Sequence, residues 1–291
     1  MRHLATREAM RDAAREWRGG GRRIGFVPTM GALHAGHVSL VVAARAECDV
    51  VVASIFVNPL QFGPNEDLSR YPRDLDGDAR KLADAGADAL FTTTPAEMYP
   101  PGFQTHVVPG PLAEPLCGAS RPGHFRGVAT IVAKLFHLVA PHDAFFGQKD
   151  WQQARMLQQM AADLDFDLRV RILPTVREPD GLALSSRNLY LAPAERAVAP
   201  ELQRSLQAVR AAFDGGERSA GRLAAIGRER LARCPAFRLD YLEVRDDGTL
   251  AAPGGDGKLG GGGGVVAAAA FLGTTRLIDN VLLGDATRRL G

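Results

Sequence analysis

Apolar and polar positions follow two regimes along the chain. Up to about residue 175, short apolar runs of strand length take turns with stretches of helical spacing. Arg23 to Val27 predicts a strand ended by Pro28. Val50 to Val57 predicts a strand apolar on both faces, as in a parallel sheet covered on both sides. Ala89 to Thr92, Ala144 to Phe146 and Leu168 to Leu173 continue the strand series. Between these runs, His37 to Ala46 has helical spacing with Val38, Val41 and Val42 on one side. Asp74 to Ala85 predicts a charged helix, and Gly127 to Val139 and Gln152 to Asp163 predict two more. Leu4, Met10 and Trp17 fit an amphipathic helix ahead of the first strand. The alternation predicts an α/β fold, a Rossmann-like, doubly wound parallel sheet over residues 1–175.

From Val176 the texture changes. Pro193 to Phe213 and Ser219 to Ala232 predict helices, and Leu239 to Val244 and Val265 to Leu272 predict strands. Residues 176–291 therefore read as a smaller α+β domain. Pro253 to Gly264 is glycine-rich and predicts a flexible linker without chemistry of its own.

Composition narrows the function classes. The 291 residues carry 35 basic and 33 acidic side chains, a net charge of +2, so no concentrated basic face for nucleic acid is expected. Cys48, Cys117 and Cys234 are too far apart for a C-x-x-C metal or redox site and read as free thiols in a reducing compartment. The arginine-rich start is interrupted by Glu8, Asp12 and Glu16, and the longest apolar runs are too short to span a bilayer. The expectation is a soluble, cytoplasmic protein without a membrane partner.

Four segments carry candidate chemistry. Pro28-Thr-Met-Gly-Ala-Leu-His34-Ala-Gly36-His37 falls between a strand and a helix. Gly31 and Gly36 would let backbone amides approach a ligand, and the helix N-terminus beside them favours phosphate. His34 and His37 flank that turn and can donate to phosphate oxygens. Two plainer readings compete: an H-x-x-H metal pair, for which no third ligand is evident, and structural histidines. The strand–turn–helix context favours phosphate, and it matches the H-x-G-H signature of the nucleotidyltransferases.

Asn58 and Gln61, in Phe56-Val-Asn-Pro-Leu-Gln-Phe-Gly63, follow the central strand, where a parallel sheet binds its substrate. Gly147, Lys149 and Asp150 stand at another strand end, offering close approach, a mobile cation and a hydroxyl acceptor. Asp150 could equally cap the following helix. Ser185, Ser186 and Arg187, after Leu184, could clamp phosphate or form a solvated turn.

Together, P-T-M-G-A-L-H-A-G-H at 28–37, F-V-N-P-L-Q-F-G at 56–63, G-H-F-R-G-V at 123–128, F-G-Q-K-D at 146–150 and L-S-S-R-N at 184–188 resemble the pantothenate synthetase family, the pantoate–β-alanine ligases. The likeness runs from Phe26 to Leu191, with a weaker echo at Arg276 to Asn280. Gln148 stands where that family usually has Glu, and the glycines at 260–264 are also a departure.

The resemblance implies an ATP-dependent ligase that forms pantoyl adenylate and passes the acyl group to β-alanine. ATP would be held by Met30, Gly31, Ala32, Leu33, His34, Ala35, Gly36 and His37. Gly147, Gln148, Lys149 and Asp150 would add to that site, as would Val176, Leu184, Ser185, Ser186 and Arg187. His37, His34, Lys149 and Arg187 would stabilise charge during catalysis. Pantoate would be bound by Gln61 and Gln153, with Asn58 and Gln61 bordering β-alanine. Mg²⁺ would accompany ATP without a dedicated protein site, and a homodimer is implied. Another H-x-G-H adenylyltransferase and a non-catalytic nucleotide-binding protein are the alternatives. The amides of residues 56–63 argue against the first, and the presence of both histidines, Lys149 and Arg187 against the second.

Overall fold

A computed structural model describes every residue except Asn65, Asp256, Gly261, Gly262 and residues 285–291. Two members of the glycine run thus lie outside the described residues.

The chain divides into two compact units. The first contains Met1–Gly110, Arg121–Gly147 and Met156–Leu173; the second contains Pro111–Ser120, Gln148–Arg155 and the chain from Pro174 onward. In chain order the elements up to Leu173 are β1 (Arg2–Leu4), α1 (Arg7–Gly19), β2 (Ile24–Thr29), α2 (Ala35–Glu47), β3 (Val50–Ile55), α3 (Leu75–Asp84) and β4 (Ala89–Thr92). There follow α4 (Pro95–Met98), α5 (Cys117–Ser120), α6 (His124–Val139), β5 (Asp143–Gly147), α7 (Trp151–Asp163) and β6 (Arg169–Leu173).

The six strands form one sheet in the order β1-β4-β3-β2-β5-β6, and every registered neighbour pair is parallel. Its centre is apolar on both faces: Ile24, Phe26, Val27 and Val50 through Ala53 are all fully buried. The strand order reverses at β2, with β3 and β4 on one side and β5 and β6 on the other. The register of β2 with β5 covers only Gly25 with Asp143 and Phe26 with Ala144. Beyond that point the two strands part, at the carboxyl-end switch point where such sheets bind ligands.

Three expectations for this unit need correction. Pro28 does not end β2; it pairs in register with Ser54 of β3. Its missing N–H matters little there, because β5 no longer pairs with β2 at that height. Leu4 is not part of the first helix but of β1, which pairs with β4 along Arg2–Leu4. Val42 is 54% exposed, because α2 packs through Leu40, Val41 and Ala44 and Val42 lies about 100° further round the helix.

The second unit adds α8 (Pro193–Val198), α9 (Glu201–Asp214), α10 (Ala220–Ala232), β7 (Phe237–Arg245), β8 (Gly264–Leu272) and β9 (Thr275–Leu283). β7-β8-β9 is an antiparallel sheet. Leu202, Leu206, Val209 and Leu223 share its core with Leu242, Val266, Ala268 and Ala270. The helix expected over Pro193 to Phe213 is two helices, since Pro200 supplies no N–H and its ring would clash with the preceding turn. Pattern reading also missed β9 entirely.

At the amino end of β5 the fully buried Asp143 accepts from Arg23 and from Arg169 Nε at 3.1 Å, with Arg171 Nη1 at 3.8 Å. This carboxylate ties the segments entering β2, β5 and β6. The three arginines are partly exposed and can rehydrate when it is removed, which tempers the cost. Asp143→Ala is expected to lower stability by about 2 kcal/mol, read from urea denaturation. An unchanged midpoint would show that the cluster contributes nothing.

Candidate active site

The turn from β2 into α2 is built around a carboxylate that sequence reading overlooked. Gly31 and Ala32 both adopt positive φ, 86° and 52°. Ala32 N–H donates to Asp78 Oδ2 at 2.7 Å and Leu33 N–H to Asp78 Oδ1 at 2.8 Å. Asp78, on α3, is 1% exposed. Lys81 Nζ donates to Leu33 O at 2.8 Å and lies 3.5 Å from Asp78 Oδ1. A left-handed alanine costs about 1–2 kcal/mol, whereas each hydrogen bond to a charged group contributes about 1.5–3 kcal/mol, so the clamp prevails over the strain. It also corrects the expectation that these amides face phosphate: those of Ala32 and Leu33 face Asp78, and that of Gly31 donates to Thr29 Oγ1 at 3.2 Å.

The two histidines cap α2. His34 Nδ1 accepts Gly36 N–H at 3.2 Å, and His37 Nδ1 accepts His34 N–H at 3.4 Å. This is a reciprocal capping box made from two imidazoles, whose ring centroids are 4.1 Å apart. A backbone N–H can only donate, so each Nδ1 is an acceptor and the proton of each neutral ring lies on Nε2. Both histidines are thereby set as Nε2–H donors.

The loop after β3 lies beside this turn. Gln61 Nε2 is 3.1 Å from Met30 Sδ, so the amide-bearing loop and the histidine corner meet within the first unit. Asn58, 1% exposed, donates to Gln61 Oε1 at 3.0 Å and to Gly127 O at 3.1 Å. It accepts from Leu60 N–H at 3.3 Å and from Tyr99 Oη at 2.8 Å. Gly127 allows this close approach: a Cβ there would stand 2.2 Å from Leu60 O. Arg121 makes a two-pronged pair with Glu66 at 2.7 Å for each prong and donates to Gln61 O at 3.2 Å. His124 Nδ1 donates to the same carbonyl at 2.9 Å. Burial alone would raise the Glu66 carboxyl, but the hydrogen bonds and charge of Arg121 outweigh it and hold it below its ordinary value. The G-H-F-R-G-V segment thus serves to hold this loop.

Gly147 closes β5 in the first unit, and the next three residues belong to the second. There Asn280 organises the turn at 148–150. Its Nδ2 donates to Gln148 O at 2.8 Å and Lys149 O at 2.9 Å, and its Oδ1 accepts from Gln148 Nε2 at 3.2 Å. Lys149 Nζ lies 3.7 Å from Asp150. Gln153 sits near the start of α7, one residue beyond Gln152, which holds the segment at 112–117 through three hydrogen bonds. Val176 and Leu184 are brought together, Leu184 N–H donating to Val176 O at 3.1 Å. Arg177 between them pairs with Asp279 at 2.6 and 3.0 Å. Ser185 Oγ accepts Arg187 N–H at 3.3 Å, and Ser186 is buried.

The expected residues thus fall in two sets: Met30 to His37 with Asn58, Gln61 and Gly147 in one unit, the remainder in the other. Asp78, Tyr99, Arg121, Gly127, Asp279 and Asn280 were missed as supports. Two signals were available: the G-H-F-R-G-V segment for Gly127 and the Arg276-to-Asn280 resemblance for the last two. Among the described residues no cluster of three His, Cys, Asp or Glu could hold a metal ion, and no helix is long and apolar enough to cross a membrane.

The parallel α/β sheet with its switch point, and the histidine-capped helix at its carboxyl edge, form the H-x-G-H corner that the sequence resemblance leads one to expect. The family model for pantoate-beta-alanine ligase matches residues 2–282, and the chain belongs to that family. It is 54% identical over 285 residues to a pantothenate synthetase of Acidobacterium capsulatum, covering 98% of this chain and 93% of that protein. The crystal structure of pantothenate synthetase from Thermus thermophilus matches with a TM-score of 0.89 at 48% identity, over 97% of this chain and 99% of that one. A pantoate-beta-alanine ligase from Francisella tularensis, complexed with beta-gamma ATP and beta-alanine, matches with a TM-score of 0.78 at 33% identity, over 97% of both chains.

Asp78→Ala is expected to destabilise the protein by about 2–4 kcal/mol, since two amide N–H groups lose their acceptor, and to weaken ATP binding about tenfold or more. Thermal unfolding and calorimetric titration with ATP check both. Glu66 gives a pH dependence: its folded pKa is lowered, so its contribution is complete above the ordinary carboxyl range and is lost as pH falls through and below it. Comparing wild type with Glu66→Gln, the stability difference should shrink as pH falls from about 6 to about 3.

Proposed function

We propose that the chain condenses pantoate with β-alanine at the expense of ATP, in two steps through pantoyl adenylate. The observation that supports this reading is the 3.1 Å approach of Gln61 to Met30, which brings a side-chain amide, a group able to donate to a carboxylate, to the histidine corner. A carboxylate held there attacks the α-phosphorus of ATP, and the bond to the β-phosphate breaks to release pyrophosphate. The β-alanine amine then attacks the acyl carbon and AMP leaves.

No protein nucleophile is required; positioning and charge stabilisation do the work. His34 and His37 donate from Nε2 to phosphate oxygens, and His37 steadies the charge developing at the α-phosphate. Lys149 and Arg187 add positive charge along the phosphates, with Ser185 and Ser186. Gly147, Gln148 and Asp150 take the ribose and phosphate side, and Val176 and Leu184 the adenine. Gln61 and Gln153 bind pantoate. Gln61 borders β-alanine, while Asn58, with all four of its hydrogen-bonding positions engaged, supports it from behind. Mg²⁺ bound to ATP would offset the charge of its phosphate oxygens, without a dedicated protein cage. A cytoplasmic homodimer completes the reading: the sparse cysteines support the compartment, and the family resemblance the dimer.

ATP–pyrophosphate exchange should occur with pantoate in the absence of β-alanine, because an acyl adenylate needs only the acid. Exchange that strictly required the amine would rule out the two-step order. His37→Ala and Lys149→Ala should each lower turnover on the order of 10²-fold at saturating ATP. Lys149→Ala should leave the unfolding midpoint unchanged, whereas His37→Ala also removes a capping contact of α2 and should lower it slightly. Near-normal turnover in either would remove that residue from the mechanism.

A further inference from the structure

The donor and acceptor pattern around Asn58 fixes which end of the Gln61 amide faces outward. Two backbone groups settle the orientation of Asn58 independently. The N–H of Leu60 can only donate, so the Asn58 atom 3.3 Å from it is Oδ1. The carbonyl of Gly127 can only accept, so the atom 3.1 Å from it is Nδ2. Tyr99 Oη donates to the same Oδ1 at 2.8 Å. Burial pushes the Tyr99 hydroxyl well above its ordinary pKa, so it remains a donor at any working pH. Its ring is braced edge-on by Phe103, with centroids 5.0 Å apart.

With Oδ1 occupied twice and one Nδ2 proton on Gly127, the other Nδ2 proton points at Gln61, 3.0 Å away. The Gln61 atom receiving it must be Oε1. The NH₂ group of Gln61 is therefore directed away from Asn58 and lies 3.1 Å from the thioether of Met30, a weak acceptor that a substrate oxygen readily outcompetes.

We propose that Tyr99 and Asn58 are positioning residues that lock the Gln61 amide with its oxygen inward, so that the acid site reads its substrate through an N–H donor directed at an oxygen acceptor. This rests on the assignment of pantoate to Gln61 made above. The lock sharpens selectivity for acids carrying an acceptor oxygen at that point. A freely rotating glutamine would accept a donor group there as readily.

The test is a double-mutant cycle on the full chain, measuring the pantoate KM, kcat and the ATP Kd for Gln61→Ala, Tyr99→Phe and the pair. Tyr99→Phe keeps the ring and removes only the hydroxyl. It should raise the pantoate KM about five- to tenfold, with kcat and the ATP Kd nearly unchanged. The same change in the Gln61→Ala background should do little, since Tyr99 acts through Gln61. Gln61→Glu should impair pantoate use more than Gln61→Ala does, because it turns an oxygen toward the substrate's oxygen.

Equal effects of Tyr99→Phe in both backgrounds, no effect in either, or a Gln61→Glu enzyme close to wild type would each overturn the proposal. A Gln61→Ala enzyme with an unaltered pantoate KM would overturn the assignment of pantoate to Gln61, and the proposal with it. A normal response to Gln61→Ala without coupling to Tyr99 would overturn the lock alone.

Discussion

The site depends on how the amide groups at the start of α2 are satisfied. A helix N-terminus normally leaves several N–H groups for solvent or ligand. Here Thr29 takes that of Gly31, Asp78 takes those of Ala32 and Leu33, and the imidazoles of His37 and His34 take those of His34 and Gly36. The consequence is chemical. The turn offers a ligand imidazole N–H groups, held in place by the amides that would otherwise have met it. A buried carboxylate thus shapes the proposed anion site without standing in it, because it is engaged by the two amides behind the turn and by Lys81.

The acid side follows the same logic. Asn58 uses every hydrogen-bonding position on neighbours within its unit, and that fixes the direction of Gln61. Gly127 keeps α6 close enough to the loop for this to happen, and the Arg121–Glu66 pair holds the loop's far end. In the second unit, Asn280 fixes the turn that carries Lys149, and Asp279 fixes the segment around Val176 through Arg177. Gln61, the turn that carries Lys149 and the segment around Val176 are thus each held by a buried amide or carboxylate.

Much of the fold was legible in the sequence because apolar burial leaves a periodic trace. Ala89 to Thr92 was read residue for residue as β4, and the apolar run from Val50 gave β3. β9 was missed because its buried positions include Thr275, Asp279 and Asn280, polar residues that fall on both faces of the strand and break the apolar alternation. The groups proposed to touch substrate were legible as motifs, but their supports were not. Asp78 looks like one charge among several on α3, and its partners lie 45 and 46 residues earlier. Tyr99 stands in no periodic pattern, and its role depends on a contact with Asn58 across 41 residues. Such pairings arise only when the sheet brings distant loops to one edge.

The claim at the centre is that the helix amides hold both imidazoles as Nε2–H donors. Long-range proton–nitrogen NMR of His34 and His37, at a pH where both rings are neutral, reads this directly. Both Nδ1 atoms should carry the shift of an unprotonated, hydrogen-bond-accepting nitrogen, and both Nε2 atoms that of a protonated one. A proton on Nδ1 of either ring would mean that the capping bonds are not made, and the corner would have to bind phosphate in some other way.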